Sequence, residues 1–195
     1  MTQEQTSPEN PPWSTDLAQL FNVAWAVLLP QEINRRIDAR LATLATIGAD
    51  GAPEARGVVL RAADPARGTV DIFTDAATPK CAEIEADPRV ALTLWREDML
   101  VQIRLRGTME VIEGAPAQEA WRGLPDRALP DYGVTPAPAT PIPEALSYLR
   151  DPKAARLAIL RLTAETLDVV SLQPPVHTRA LFERRDGWRG QWRAP

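Results

Sequence analysis

Residue types that build many functional sites are scarce in this 195-residue sequence. Cys81 is the only cysteine, so the chain can form no internal disulfide and nothing in it points to an oxidising compartment. His177 is the only histidine. One cysteine and one histidine are too few for a His/Cys metal site or a Cys–His protease centre, so no metal is predicted.

Long apolar runs and excess positive charge are also absent. The most apolar stretch, residues 23–29, is far shorter than the roughly 20 residues that a membrane-spanning helix needs. The N-terminal region carries Glu4 and Glu9 but no basic residue, unlike a signal peptide. A formal net charge of −4 argues against non-specific nucleic-acid binding. These features predict a cytoplasmic protein that binds neither membranes nor nucleic acids.

Proline and helical spacing organise the first forty residues. Residues 1–12 are polar and contain proline, which predicts a disordered tail ahead of a single domain over 13–195. Helix-starting side chains followed by apolar residues at helical spacing predict a helix over 17–28. Pro30 interrupts this pattern, and a second helical piece is predicted over 31–40.

The rest of the sequence is typical of short strands joined by tight turns, with few helices. The predicted strands cover 41–47, 56–61, 69–74, 90–95, 100–111, 157–162, 166–172, 179–184 and 188–192. Short helices are predicted over 78–86 and 115–122, and Asp50-Gly51 and Asp186-Gly187 predict hairpin turns. Residues 124–143 are rich in proline and predict a long loop. The pattern predicts a mainly β fold with peripheral helices, built as an antiparallel barrel.

Four segments bring together cations, hydroxyls and an amide. They are Arg56-Gly-Val-Val-Leu-Arg61, then Ile72-Phe-Thr-Asp75 running on to Lys80, then Val101-Gln-Ile-Arg-Leu-Arg-Gly107, and finally His177-Thr-Arg179 with the Asp186-Gly-Trp188 that follows. In this order they resemble the pyridoxamine 5′-phosphate oxidase-like flavoproteins over roughly 41–195, with 124–152 unmatched. The resemblance implies an antiparallel split β-barrel and a homodimer with FMN at the interface.

The resemblance also implies which residues serve the flavin and the substrate. The flavin contacts that it implies are Arg56, Val58, Val59, Arg61, Phe73, Thr74, Thr78, Lys80, Gln102 and Arg179. His177 and Arg61 are the substrate-side candidates, and no catalytic acid or base is assigned. The residue chemistry agrees, because a phosphate needs fixed cations and hydroxyls while a flavin ring needs an amide such as that of Gln102. For each cation, a solvated surface charge is the alternative.

Arg56 and Arg61 are an odd number of residues apart, so a flat strand directs their side chains to opposite faces. They can serve one ligand only across a twisted or bulged strand, or if one of them reaches the site of a second subunit. Arg61 also stands where the family has a lysine, which exchanges a point charge for a planar fork.

Other positions depart from the family pattern. Pro79 replaces a phosphate-binding arginine, and Val169 falls near the place of a flavin-packing tryptophan. The family's Gln-Ser flavin contact has no counterpart in the proline-rich loop. The positions of its Tyr, Arg and Ser clamp for pyridoxal phosphate fall on Ala120, Leu124 and Ala128. The sequence therefore predicts an FMN-dependent oxidoreductase acting on a small molecule, with the pyridoxal phosphate clamp lost. The alternatives are a non-catalytic protein that binds, senses or stores FMN and a flavin-free dimerisation domain.

Overall fold

The computed structural model describes residues 9–29 and 41–195. Most of the tail predicted over 1–12, and the whole helical piece predicted over 31–40, lie outside the described residues. The described end of that tail contacts the rest of the chain: the side-chain amide of Asn10 donates to the carbonyl oxygen of Val176 at 2.6 Å.

Three α-helices lie within the described residues: α1 (Leu17–Leu28), α2 (Pro79–Ala86) and α3 (Ala115–Arg122). All three were predicted from the sequence. Helix α1 begins where the carboxylate of Asp16 accepts a hydrogen bond from the backbone N–H of Gln19 at 2.8 Å. Its buried face, which includes Leu20 and Trp25, packs on the core of the barrel. No helix among the described residues is long and apolar enough to cross a membrane.

Ten strands are described. They are β1 (Leu41–Ile47), β2 (Pro53–Asp64), β3 (Thr69–Asp75), β4 (Arg89–Arg96), β5 (Val101–Ile112), β6 (Val134–Thr135), β7 (Leu149–Arg150), β8 (Leu157–Ser171), β9 (Thr178–Glu183) and β10 (Arg189–Arg193). The main sheet has the order β10-β9-β8-β3-β2-β1-β4-β5, and pairing of β8 with β5 closes six of these strands into an antiparallel barrel. The predicted mainly β, antiparallel barrel fold is confirmed.

Strand β8 was predicted as two strands, over 157–162 and 166–172, and that prediction is wrong. It is one strand of 15 residues. Its first half pairs with β3, its second half pairs with β9, and residues 159–171 pair with β5 on the other edge. The apparent break in the sequence is a register shift opposite Gly107 in the β5–β8 ladder. A Cβ at Gly107 would collide with the carbonyl oxygen of Thr163, so only glycine allows this close approach.

The proline-rich segment is more regular than the long loop predicted over 124–143. It contains a 3₁₀ helix at Asp126–Asp131, and its strand β6 pairs with β7. The buried carboxylate of Asp75 holds it in place, accepting hydrogen bonds from the backbone N–H of Gly133 at 2.7 Å and from the guanidinium of Arg156 at 2.7 Å. Periodicity could not reveal these anchors, because they come from residues distant in sequence.

Two apolar clusters stabilise the fold. The larger one fills the barrel with alternate residues of its strands and extends to α1. The smaller one lies outside the barrel, where α3 and the proline-rich segment cover β3 and β8. Its buried members are Ala117, Tyr132, Leu157 and Ile159, and the half-buried side chain of Phe73 packs against them. We call this second group the outer cluster.

Candidate functional site

Four of the predicted site residues meet at the end of the barrel beside α2. The ammonium group of Lys80 donates to the hydroxyl of Thr74 at 3.0 Å, and this hydroxyl lies 3.2 Å from that of Thr78. Arg56 is close enough for its charge to lower the pKa of Lys80. These residues come from β2, β3 and the start of α2, so the fold assembles a group that is scattered in the sequence. We call Arg56, Thr74, Thr78 and Lys80 the basic cluster.

The charge of Lys80 is poorly compensated. Burial lowers the pKa of Lys80 and the nearby charge of Arg56 acts in the same direction, which together outweigh the opposite effects of Cys81, Glu83 and Asp75. In the described part of the chain, Lys80 forms no ion pair with any carboxylate. A half-buried cation without an ion-paired carboxylate is unfavourable, and a bound anion would offset its cost. The basic cluster therefore has the electrostatics of an anion site.

Sequence reasoning missed two residues of this region, Thr46 and Glu83. The guanidinium of Arg56 donates to the hydroxyl of Thr46 and forms an ion pair with the carboxylate of Glu83 at 2.8 Å. The hydroxyl of Thr46 also donates to Glu83 at 2.5 Å. Glu83 could have been found from its spacing, because it lies one helical turn after Lys80 on α2. Its carboxylate reduces the positive charge that Arg56 offers to a ligand.

The other predicted residues of β2 and β3 face a different environment. The side chain of Val58 belongs to the barrel core, so only its backbone could contact a cofactor. Val59 is half-buried and alternates with it. Arg61 lies at a register shift in the β2–β3 ladder, and its guanidinium carbon is 5.9 Å from the centre of the Phe73 ring. The structure thus places the side chain of Arg61 on the outer face of β2, opposite to the face that carries Arg56, as the odd spacing of the two residues predicts.

Gln102 and Arg179 belong to a second group, on the outer faces of β5, β8 and β9. Asp168 is its centre: its carboxylate accepts hydrogen bonds from Arg179 at 2.8 and 3.0 Å and from Arg104 at 2.5 Å. Burial raises the pKa of Asp168, but its bonds to the two arginines outweigh burial, so the pKa lies below its usual value. Gln102 is half-buried two residue pairs along the β5–β8 ladder from Arg104 and Asp168, and its own partner on β8 is Val170.

A groove of about 370 Å³ opens beside the two ion pairs that Asp168 forms with Arg104 and Arg179. Four guanidinium groups and one carboxylate line it: Arg104, Arg106, Arg179, Arg193 and Asp168. The Nε of Arg104 is buried and has no hydrogen-bond partner in the described residues. We call this groove the arginine groove. Its excess of positive charge contrasts with the net charge of −4 of the whole chain.

One chain does not bring the two groups together. In the closed ring of six strands, β2 and β5 are three strands apart in either direction, so they lie on opposite sides of the barrel. Gln102 faces outward, because its neighbours Val101 and Ile103 fill the core. His177 lies in the exposed connection between β8 and β9, outside both groups. A ligand that contacts both the basic cluster and Gln102 would need a second copy of the chain.

The closed barrel, with β8 continuing beyond it to pair with β9, makes the protein a split β-barrel. A family model described as pyridoxamine 5′-phosphate oxidase matches residues 29–170, and the chain belongs to this family. The family inferred from four short motifs is thereby confirmed.

Relatives and solved structures agree with this assignment. A pyridoxine/pyridoxamine 5′-phosphate oxidase of Caulobacter vibrioides is 28% identical over 163 residues, covering 77% of this chain and 72% of the oxidase. A pyridoxamine 5′-phosphate oxidase-related, FMN-binding protein of Nostoc punctiforme has a TM-score of 0.70 at 22% identity, covering 96% of this chain and 99% of its own. PhzG of Burkholderia lata, solved with tetrahydrophenazine-1-carboxylic acid, has a TM-score of 0.66 at 17% identity, covering 96% and 98%. At these identities the two structures show the fold alone.

Proposed function

We propose that this protein is an FMN-dependent oxidoreductase that works as a homodimer, holds each flavin between two copies and acts on a substrate other than pyridoxamine or pyridoxine 5′-phosphate. The observation that carries the proposal is the basic cluster, where the cation of Lys80 is half-buried beside two hydroxyls and has no carboxylate partner among the described residues. A phosphate group would supply the missing negative charge. The Nostoc punctiforme protein, described as FMN-binding, has the same fold.

The residues present fit FMN. The phosphate needs cations and hydroxyls, which the basic cluster supplies. The ring edge needs hydrogen-bond donors, which the amide of Gln102 and the guanidinium groups of the neighbouring arginine groove can supply. Glu83 opposes binding of the phosphate, since its carboxylate already pairs with Arg56. The two sets of donors lie on opposite sides of one barrel, which supports a site shared by two copies.

A flat face of small residues between the two groups supports the dimer. In the ladder, Thr43 lies between Gly57 and Thr93, and Ala45 lies between Ala55 and Ala91. The same rows continue to Arg104 and Arg106 on β5. We call these six residues of β1, β2 and β4 the small-residue face. Exposed Leu41 and Trp95 lie on the outer sides of the same strands, and such a surface packs well against another copy of itself.

Bound FMN would supply the hydride chemistry, and the protein would bind and orient it. Arg56 and Lys80 would hold the phosphate, with Thr74 and Thr78 completing its hydrogen bonds. Gln102 and Arg179 of the second copy would hold the ring edge, and Asp168 keeps Arg179 in position through two hydrogen bonds. Arg61 and His177 remain the substrate-side candidates, and no side chain is assigned as a general base.

The structure supports a substrate other than a pyridoxal-type phosphate. Ala120 and Leu124, two of the three clamp positions, pack against the outer cluster, and none of the three can donate a side-chain hydrogen bond. Arg122 and Arg127 do not replace them, since both are exposed and Arg122 pairs with Glu119. Losing three phosphate contacts, at about 1.5–3 kcal/mol each, weakens binding at least about a thousandfold. The same loss favours a second candidate function, flavin binding without turnover.

The absorption spectrum of the purified protein, with mass spectrometry of the released cofactor, tests the flavin. We expect flavin bands and the mass of FMN, and a colourless protein that takes up no added FMN would contradict the proposal. The loaded protein is then incubated in air with each phosphate, and we expect negligible formation of pyridoxal 5′-phosphate. Turnover near one per second with a micromolar KM would contradict the substrate proposal. Anaerobic reduction of the flavin by NADH, NADPH or a substrate screen separates the enzyme from a non-catalytic flavin protein.

A further inference from the structure

Arg61 is a half-buried cation without a counter-ion. It forms no ion pair in residues 9–29 and 41–195, and its Nε is buried without a hydrogen-bond partner in those residues. Its guanidinium lies over the ring of Phe73, which gives some attraction but neutralises no charge. An arginine in this position is stabilised by a ligand that brings one negative charge.

Tyr132 belongs to the outer cluster, and the Phe73 ring that lies under this cation packs against the same cluster. The side chain is 3% exposed, and burial raises the pKa of its phenol, although the hydrogen bond and charge of Arg61 act in the opposite direction. The phenol therefore stays neutral and can donate a hydrogen bond. Its position is fixed: the backbone carbonyl of Tyr132 accepts from the N–H of Lys153 at 3.1 Å, and the next residue, Gly133, is bound by Asp75.

The surroundings of this pair are apolar. The ring of Trp121 meets that of Tyr132 edge to face at a centroid distance of 6.1 Å. Phe73, Ala120 and Leu124 pack against the same outer cluster. The half-buried side chains at the edge of this cluster favour a flat, apolar ligand body, and Arg61 is the one cation that the observed contacts place against them. A phosphate dianion here would keep one charge unpaired in a partly dehydrated place, whereas a carboxylate brings one charge in the planar shape that a guanidinium pairs with.

We propose that Arg61 and Tyr132 anchor the carboxylate of an aromatic monoanionic substrate, whose ring lies against the outer cluster. This inference rests on the proposed function and names the substrate class of that site. Arg61 pairs with the carboxylate, and the Tyr132 hydroxyl donates a hydrogen bond to it. Selectivity follows from charge: the site favours one negative charge over two or none.

Three probes that share a naphthalene ring and differ in head group test the proposal: 1-naphthoate, 1-naphthyl phosphate and 1-naphthylmethanol. Their affinities for the FMN-loaded protein are measured by calorimetry, and flavin occupancy is read from the spectrum before each titration. We expect 1-naphthoate to bind at least tenfold more tightly than the other two. Equal or tighter binding of 1-naphthyl phosphate would overturn the proposal.

Variants connect this selectivity to the two residues. We expect Arg61→Gln to lose at least tenfold in affinity for 1-naphthoate and to bind 1-naphthylmethanol unchanged, when it is compared with the original protein at equal flavin occupancy. Tyr132→Phe should lose about threefold to tenfold for the carboxylate alone. Arg127→Gln, an exposed change in the same segment, is the control and should match the original protein. If Arg61→Gln binds 1-naphthoate as tightly as the original protein does, the carboxylate anchor is wrong.

The test of the carboxylate anchor can be distinguished from the test of FMN binding. A protein that takes up no FMN contradicts the proposed function, but the three probes can still be titrated into the flavin-free protein. The same order of affinities and the same loss in Arg61→Gln would then support the carboxylate anchor alone. No preference among the head groups would overturn it.

Discussion

Lys80 and Arg61 differ from the other half-buried cations of this protein in lacking a carboxylate partner among the described residues. Arg156, for comparison, is held by Asp75 through two hydrogen bonds of 2.7 and 2.9 Å. In a chain with net charge −4, acidic residues are plentiful, so two unpaired cations are a local feature and not a shortage of partners. At the scale of single residues, these two positions are where the protein has the most to gain from an anion.

Replacing a cation of the basic cluster should weaken FMN binding. We expect Lys80→Ala and Arg56→Ala each to lose about 1.5–3 kcal/mol, which is roughly 10-fold to 150-fold in Kd, because each removes a charge-assisted hydrogen bond. Loss of Arg56 also leaves Glu83 unpaired beside the phosphate. Fluorescence titration of flavin-free protein with FMN measures the effect.

Two further variants sharpen this test. Arg67→Ala, at a guanidinium with 81% side-chain exposure near the β2–β3 turn, should bind FMN normally. Glu83→Gln should bind FMN more tightly than the original protein, because it removes the carboxylate that competes for Arg56. If all four variants bind FMN equally well, the phosphate is not held by the basic cluster.

Asp168 should make part of the stability depend on pH. Its folded pKa is lowered, so its contribution is present above the unfolded pKa, about 3.9, and is lost as the pH falls through the folded pKa. We expect Asp168→Asn to lower the free energy of unfolding at pH 7 by about 1–2 kcal/mol, a value reduced from that of a fully buried pair because both arginines are partly exposed.

Urea unfolding of flavin-free protein at pH 7, 5 and 3 checks this prediction. The difference between Asp168→Asn and the original protein should shrink towards zero at the lowest pH. Asp98→Asn, whose carboxylate is exposed and pairs with Arg96, should change stability little at any pH. A difference for Asp168→Asn that is the same at all three values would contradict the linkage.

At the scale of elements, β8 links the barrel to the groove. Its first half pairs with β3, which carries Phe73 and Thr74, and its second half holds Asp168 and pairs with β9. The register shift opposite Gly107 changes the alternation midway along the strand. The position of Asp168 towards Arg104 and Arg179 therefore depends on a backbone irregularity far from the basic cluster.

Gly107→Ala should be strongly destabilising. Its Cβ would collide with the backbone carbonyl of Thr163, which cannot move without breaking the β5–β8 ladder. We expect a loss of about 2–4 kcal/mol, measured by the urea midpoint. Gly123→Ala is the matched control, since its backbone is helical and the added Cβ meets only ordinary contacts. Similar midpoints for the two variants would show that the ladder tolerates a side chain here.

At the scale of the whole molecule, the two groups of site residues are separated by the width of the barrel. The small-residue face lies on the strands between them on one side, and the arginine groove adjoins it through β5. Two copies packed through this face would place the groove of one near β2 of the other. The dimer and the flavin site are then one feature, so that disrupting the first should remove the second.

Thr43→Arg tests this connection. Thr43 is exposed at the centre of the small-residue face, so an arginine there should leave the fold of one copy intact while preventing close packing of two. We expect sedimentation to show a dimer for the original protein at micromolar concentration and a monomer for Thr43→Arg, with FMN affinity reduced at least tenfold.

The control for this test lies on the opposite side of the barrel. Glu165 is exposed on β8, three strands from β1 in either direction, and Glu165→Arg should remain a dimer that binds FMN. A monomeric original protein, or a monomeric Thr43→Arg variant that keeps its full affinity for FMN, would contradict a shared site.

Local pattern was sufficient for the family, the barrel and most elements. Alternation of apolar residues predicted strands such as β1 and β4, because each has one face in the core and one outside. The hairpin turn at Gly51 and the start of α1 followed from single residues with known backbone preferences. The motifs that placed Arg56, Lys80 and Gln102 were also readable without coordinates.

Only the tertiary structure decided which of those residues share a site. Glu83 reaches Arg56, Tyr132 joins the cluster beside Phe73 and Asp168 holds Arg179 because the closed barrel and the anchored proline-rich segment bring distant residues together. The same closure separates Arg56 from Gln102, although both belong to one predicted site. Sequence patterns report the faces of individual strands, whereas the curvature and closure of a sheet depend on pairing along its whole length. The chemistry of the donors was therefore determined by the sequence, and their division into two separate groups by the fold.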